Sequence, residues 1–165
     1  RIQMMDDEAR PMFDLGSPKL KNYAEEMLRT IGATVAQVPN RVSVAGHTDS
    51  RTYSAGRTEY SNWELSADRA NAARRALAQR MPRDVKFGRV VGLADSVPYD
   101  REDPFNAANR RISIVVLNEA TERAIGIREG LETKAQDLEA AEENAMTKAE
   151  APDVPRVEDP AADPV

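Results

Sequence analysis

Arg41-Val42-Ser43-Val44-Ala45-Gly46, running straight into His47-Thr48-Asp49, is the stretch on which the fold turns. Polar and apolar residues alternate through it, the pattern of a strand with one buried face. Upstream, Leu20, Tyr23, Ala24, Met27, Leu28, Ile31 and Val35 recur at helical spacing. Ser17 is the expected N-cap of that helix, with Pro18 at its first position and an end near Pro39-Asn40. Downstream, Ser61-Asn62-Trp63-Glu64 has the capping-box pattern and opens a second helix that runs to about Arg80, where Met81-Pro82 stops it. β-Branched runs at Val85 to Leu93 and Ile112 to Leu117, with Ile2 to Met5 at the front, supply three more strands. The order strand, helix, strand, helix, strand, strand implies an α+β architecture, a two-layer sandwich with helices on one face of a small mixed sheet.

The chain has 165 residues, 41% hydrophobic and 31% charged, which suits one domain with its own core. Nothing in it approaches the roughly 18 apolar residues of a membrane helix, and no signal segment opens it. Beginning at Arg1 and entering a strand at once, it reads as a piece of a longer protein whose remaining part carries a membrane anchor. With no cysteine and one histidine, disulfides, thiolate metal sites and multi-histidine clusters are excluded, and no cofactor is expected. Charge is uneven. Residues 119–165 hold 13 Asp/Glu and 5 Lys/Arg, a net −8, while the whole chain is −5, so residues 1–118 carry +3. A mildly basic body suits an anionic polymer without demanding one. Domain limits follow the same break: 1–118 as the folded domain, 119–148 as a weak Ala/Glu-rich helix, and 149–165 as a disordered acidic tail with four prolines.

On a helical wheel of the second helix, Glu64, Asp68, Asn71, Arg75 and Gln79 share the solvated half. Asn62, Ser66 and Arg69 fall on the other half, beside Leu65, Ala70, Ala73 and Leu77. An arginine on an apolar face requires an acceptor, and Asp49, just past the strand, is the natural candidate. Two readings stand: a structural ion pair tying strand to helix, or a pair flanking a ligand that carries an amine and a carboxylate. His47, Asp49, Ser50 and Ser54 can also be arranged as a hydrolase, but no nucleophile elbow or oxyanion hole accompanies them. A packed strand-end role for His47 is preferred.

Three motifs in order, Gly46-His47-Thr48-Asp49, Asn62-Trp63-Glu64-Leu65-Ser66-Ala67-Asp68-Arg69-Ala70 and Asn109-Arg110-Arg111, resemble the OmpA-like peptidoglycan-binding domain. Met12-Phe13-Asp14-Leu15-Gly16-Ser17 and Tyr60-Ser61-Asn62-Trp63-Glu64-Leu65-Ser66 narrow the resemblance to the periplasmic part of MotB-type flagellar stator subunits. It covers Arg1 to about Asn118. It implies that Asp49 and Arg69 hold the amine and carboxylate of diaminopimelate in the stem peptide. Thr48 then contributes a hydroxyl or backbone donor, and Asn62, Leu65 and Ser66 shape the pocket, with Leu65 equally readable as core and Asn62 or Ser61 as a helix cap. Asn109 and Arg110 line or brace the site; Arg111 is expected to be solvated or at a sheet edge. The Ser50 to Tyr60 connection is longer than is usual in the broader family, as in the stator subfamily. The implied setting is non-enzymatic anchoring of a torque-generating complex, a MotA-type inner-membrane partner, homodimerisation, a periplasmic location below a single membrane span, and no nucleic acid. Alternatives are an outer-membrane anchor of the same fold, a cell-wall hydrolase, and a dimerisation module with a vestigial pocket.

Overall fold

Strand-forming residues from four places in the chain pair into one mixed sheet. The computed structural model describes residues 1–52, 60–81 and 86–126. Its strands are β1 (Ile2–Met5), β2 (Val42–His47), β3 (Phe87–Gly92) and β4 (Arg111–Val116), in the spatial order β1-β4-β2-β3. β4 is antiparallel to both β1 and β2, whereas β2 and β3 are parallel. A parallel pair requires a crossover, supplied here by α2 (Asn62–Ala78). The alternation read in the 41–46 stretch holds: Val42 and Val44 enter the core beneath the helices, and Ser43, Ala45 and His47 take the opposite face.

Two helices cover one face. α1 (Asn22–Val35) packs along α2, and α2 lies over β2 and β3. Leu28, Val42, Val44, Leu77, Ile112 and Ile114 are the large side chains sealed between them, each contributing about 1.5–3 kcal/mol by leaving water. Gly46 and Gly92 let α2 sit directly on the two parallel strands. The α+β two-layer architecture expected from the sequence is the observed one.

The two helix starts differ in how they were legible. α2 begins as read: Ser61 Oγ accepts from the Trp63 N–H, and the Glu64 carboxylate takes the Ser61 N–H at 2.8 Å. Ser17 does not cap α1. Residues 12–14 instead pair back on 19–21, with Phe13 bridging Leu20 and Lys21 N–H donating to the Met12 carbonyl at 2.8 Å. Ser17 sits in the turn of this hairpin after Gly16 (φ 61°), its hydroxyl accepting from the Lys19 N–H. The helix consequently starts four residues later than Pro18 suggests, at Asn22, and it ends at Val35 rather than near Pro39.

After β4 a short helix, α3 (Glu119–Ala124), follows, opened by the Asn118 side chain accepting from the Thr121 N–H. These elements make up the compact unit Arg1–Ile125. The remainder of the helix expected over 119–148, the tail 149–165, and Tyr53 and Gly56 of the long connection lie outside the described residues. Among the described residues no helix is long and apolar enough to cross a membrane.

Candidate functional site

The chain between β1 and α1 folds over the carboxyl end of β2 and leaves a cleft of about 280 Å³. Three guanidiniums, those of Arg51, Arg69 and Arg110, face into it, with the carboxylates of Asp6, Glu8 and Asp14, the Lys21 ammonium and the Phe13 ring. Opposite charges thus line one concavity, an arrangement suited to a small zwitterion.

A buried ion cluster forms its floor. Asp49 is fully buried. Its Oδ2 accepts from Arg110 Nη1 at 2.8 Å and from Arg51 Nη1 at 3.3 Å. Arg110 turns its Nε to Asp6 Oδ2, also at 2.8 Å, so one guanidinium bridges two buried carboxylates. Asp6 in turn accepts the Met12 N–H through its other oxygen. Burial lowers the Arg110 pKa, but hydrogen bonds and charge from Asp6 and Asp49 more than offset this, and it stands above its ordinary value. Asp49 therefore does not pair with Arg69: among the described residues its ion pairs are to Arg51 and Arg110. The physical reason is reach. Arg110 leaves the start of β4, next to β2 in the sheet, and enters the cluster from there.

Arg69 does lie on the buried side of α2, as the wheel requires. Its Nε donates to the Ser17 carbonyl at 3.1 Å, and its guanidinium stacks over the Phe13 ring at 4.8 Å from the centroid. The hairpin of residues 12–21 thus meets Arg69, and the Phe13 and Ser17 of one sequence motif contact the arginine of another. At the rim Asp14 pairs with Lys21, whose hydrogen bond holds the Asp14 carboxyl below its ordinary value.

The remaining motif residues brace the site rather than line it. Asn62 Nδ2 donates to the carbonyls of Asp49 (3.2 Å) and Arg51 (2.8 Å), fixing the loop after β2 to the start of α2. Ser66 Oγ donates to the Trp63 carbonyl and accepts from Ala94 N–H, while Thr48 N–H donates to the Ala94 carbonyl. Ala94, at φ 45°, is held in its left-handed conformation from both sides. Leu65 is fully buried. Asn109 Oδ1 accepts from the Tyr99 and Asp100 N–H groups and its Nδ2 donates to the Asp100 and Asp103 carbonyls, so it shapes the loop before β4.

Arg111 is neither solvated nor at an edge. β4 is an interior strand, and Arg111 is 3% exposed, donating to the carbonyls of Val97 and Asn109. It stands directly opposite His47 in the β2–β4 register. His47 is packed at the strand end, on the sheet face away from α2 and outside the cleft. Burial, then the charges of Arg111 and Arg1, push its pKa from 6.5 down to about 4. A base depressed in the folded state gives stability that is complete above the unfolded pKa and is lost as pH falls toward the folded one. Unfolding in urea is therefore expected to show about 2 kcal/mol less stability at pH 5 than at pH 7 from this group. The slope should flatten in His47→Gln whatever that variant's absolute stability; an unchanged slope would assign the loss to other groups.

Four charged residues of the site, Asp6, Glu8, Lys21 and Arg51, were not singled out by the sequence reading. Asp6 follows β1 directly and its backbone N–H donates to the Arg110 carbonyl, so strand pairing brings it beside Arg110. Its signal was available as an acid ending an apolar strand, next to the strand that carries the third motif. Arg51 lies only two residues past Asp49, and its spacing gives no such signal.

Residues 12–113 match the model of the OmpA family, and the chain belongs to that family. Over 142 residues it is 44% identical to Motility protein B of Escherichia coli K12, an alignment covering 86% of this chain and 46% of the relative. The chain spans about half the length of the relatives it matches. Among solved structures, the periplasmic domain of Helicobacter pylori MotB is similar with a TM-score of 0.60 at 18% identity, over 81% of this chain and 91% of that one, which shows a shared fold. The cell wall anchor of the T6SS from Pseudomonas aeruginosa is similar with a TM-score of 0.58 at 27% identity, over 71% of this chain and 80% of that one.

Proposed function

We propose that this domain binds peptidoglycan without catalysis, holding the free amino-acid end of diaminopimelate in a stem peptide, and so anchors a flagellar stator to the cell wall. The observation that carries the reading is the cleft itself, in which three guanidiniums and several carboxylates converge on a space of about 280 Å³. Arg69 takes the ligand carboxylate in this reading, which its position on α2 in the cleft and its planar fork support. Asp49 meets the amine, with Arg110 as the group that fixes Asp49. Asn62 fixes the backbone of Asp49 and Arg51, while Thr48, Ser66 and Asn109 shape the neighbouring loops and Leu65 packs in the interior. His47, buried outside the cleft with a pKa near 4, is unsuited to acid–base work near neutral pH, which argues against a hydrolase.

The likeness to Motility protein B over most of this chain favours a stator subunit above an outer-membrane anchor of the same fold. The whole protein would then cross the inner membrane once, place this domain in the periplasm, partner a MotA-type protein and act as a homodimer. Single contacts of this kind are worth about 1–3 kcal/mol, so anchoring depends on two subunits engaging a polymer.

Co-sedimentation with purified diaminopimelate-type peptidoglycan tests the reading. Wild type is expected to pellet with the polymer. Arg69→Lys retains the charge but not the fork or the ring stacking, and its affinity is expected to fall about tenfold. Undiminished pelleting of that folded variant would remove Arg69 from the site, and failure of wild type to pellet would remove the anchoring function.

A further inference from the structure

Asp49 is sealed against any incoming amine. Its side chain is 0% exposed, Oδ2 is shared by Arg110 and Arg51, and Oδ1 accepts the Arg51 backbone N–H at 3.3 Å. An ammonium reaches this carboxylate only when one of the two guanidiniums leaves. Arg110 is the wrong one to move: it is 11% exposed and its Nε is fixed on Asp6 at 2.8 Å, so its departure would strand two buried carboxylates.

Arg51 differs on each count. Its side chain is 46% exposed, and its bond to Asp49 is long at 3.3 Å. Its backbone is secured independently, through Asp49 Oδ1 at one end and Asn62 Nδ2 at the other. Rotation of the side chain alone therefore clears the carboxylate. An ion pair this exposed is weak, whereas a buried, bridged one is not.

Resting on the zwitterion-binding reading above, we propose that Arg51 is a placeholder for the ligand's ammonium: its guanidinium occupies the place beside Asp49 until a primary ammonium displaces it into solvent. The charges support the exchange. Arg110 alone cannot balance Asp6 and Asp49, so a second cation is needed next to them, Arg51 before binding and the ammonium after. An acylated amine brings no charge and leaves Arg51 where it is. Arg51 is thereby a competitor at the amine subsite, weakening the binding of ligands whose amine is free and leaving that of blocked ones untouched.

Calorimetric titration of the 165-residue chain tests this with two probes, a tripeptide ending in meso-diaminopimelate with its side-chain amine free, and the same tripeptide with that amine acetylated. Wild type is expected to prefer the free amine. Arg51→Gln removes the competing cation and is expected to tighten binding of the free-amine peptide about threefold, the size of a half-exposed ion pair, with the acetylated peptide unchanged. Arg51→Lys keeps a competing charge and should stay near wild type. Weaker or unchanged free-amine binding in Arg51→Gln would overturn the placeholder role while leaving the site reading intact. Failure of wild type to bind either peptide would overturn the site reading and this inference together.

Discussion

Gly46→Ala is expected to destabilise the domain by about 3 kcal/mol or more, at the upper end of what overpacking produces. A Cβ built at Gly46 would stand 2.1 Å from the Ser66 carbonyl oxygen, 3.1 Å from its carbon and 3.2 Å from the Ala70 nitrogen. All three are backbone atoms of α2, so no side chain can rotate away; the helix must lift off the sheet. The effect reaches the cleft because the same helix carries Arg69 and Asn62. Urea denaturation measures the loss, and peptidoglycan pelleting should weaken with it. A Gly46→Ala protein within about 0.5 kcal/mol of wild type would mean that α2 does not rest on β2 as described.

Arg110→Ala is expected to lower stability by about 3–5 kcal/mol, because it leaves the buried carboxylates of Asp6 and Asp49 facing each other without their bridging cation. For a domain of this size that is a fall in melting temperature on the order of 10–20 °C. Arg110→Lys should recover little, since a single ammonium cannot reproduce bonds made from Nε and Nη1 at once. Adding Asp6→Asn to Arg110→Ala removes one of the stranded charges and should restore part of the loss. That non-additivity, read as a double-mutant cycle, separates a charge cluster from simple packing. Additive losses would show that Asp6 and Arg110 act independently.

How far the sequence disclosed all this depends on the range of the interaction involved. The alternation at 41–46 and the capping box at Ser61 are local, and both were legible because strand faces and helix starts are set by neighbours a few residues away. The wheel of α2 put Arg69 on its buried side for the same reason. Partner choice was not legible. Asp49 and Arg69 share a region, yet the strand order brings Arg110 to Asp49 and the 12–21 hairpin to Arg69. That hairpin also misled the helix start, since Ser17 and Pro18 make a sound local N-terminus that backbone pairing of 12–14 with 19–21 overrides. Arg111 was misplaced because nothing local says that β4, the last strand in sequence, is interior in the sheet. The resemblance gave Arg69, Arg110 and Arg111 separate roles from their motifs; the fold shows which groups each side chain meets.

The most direct test of the cleft is a titration of isotopically labelled protein with the diaminopimelate tripeptide, following arginine side-chain Nε–H and backbone amide resonances by NMR. The Arg69 and Arg110 Nε–H signals and the Phe13 and Asp14 amides are expected to shift together and saturate at one concentration. Protein that pellets with peptidoglycan while those signals stay fixed, or whose shifts fall on the sheet face of His47 and Arg111 instead, would contradict the assignment of this cleft.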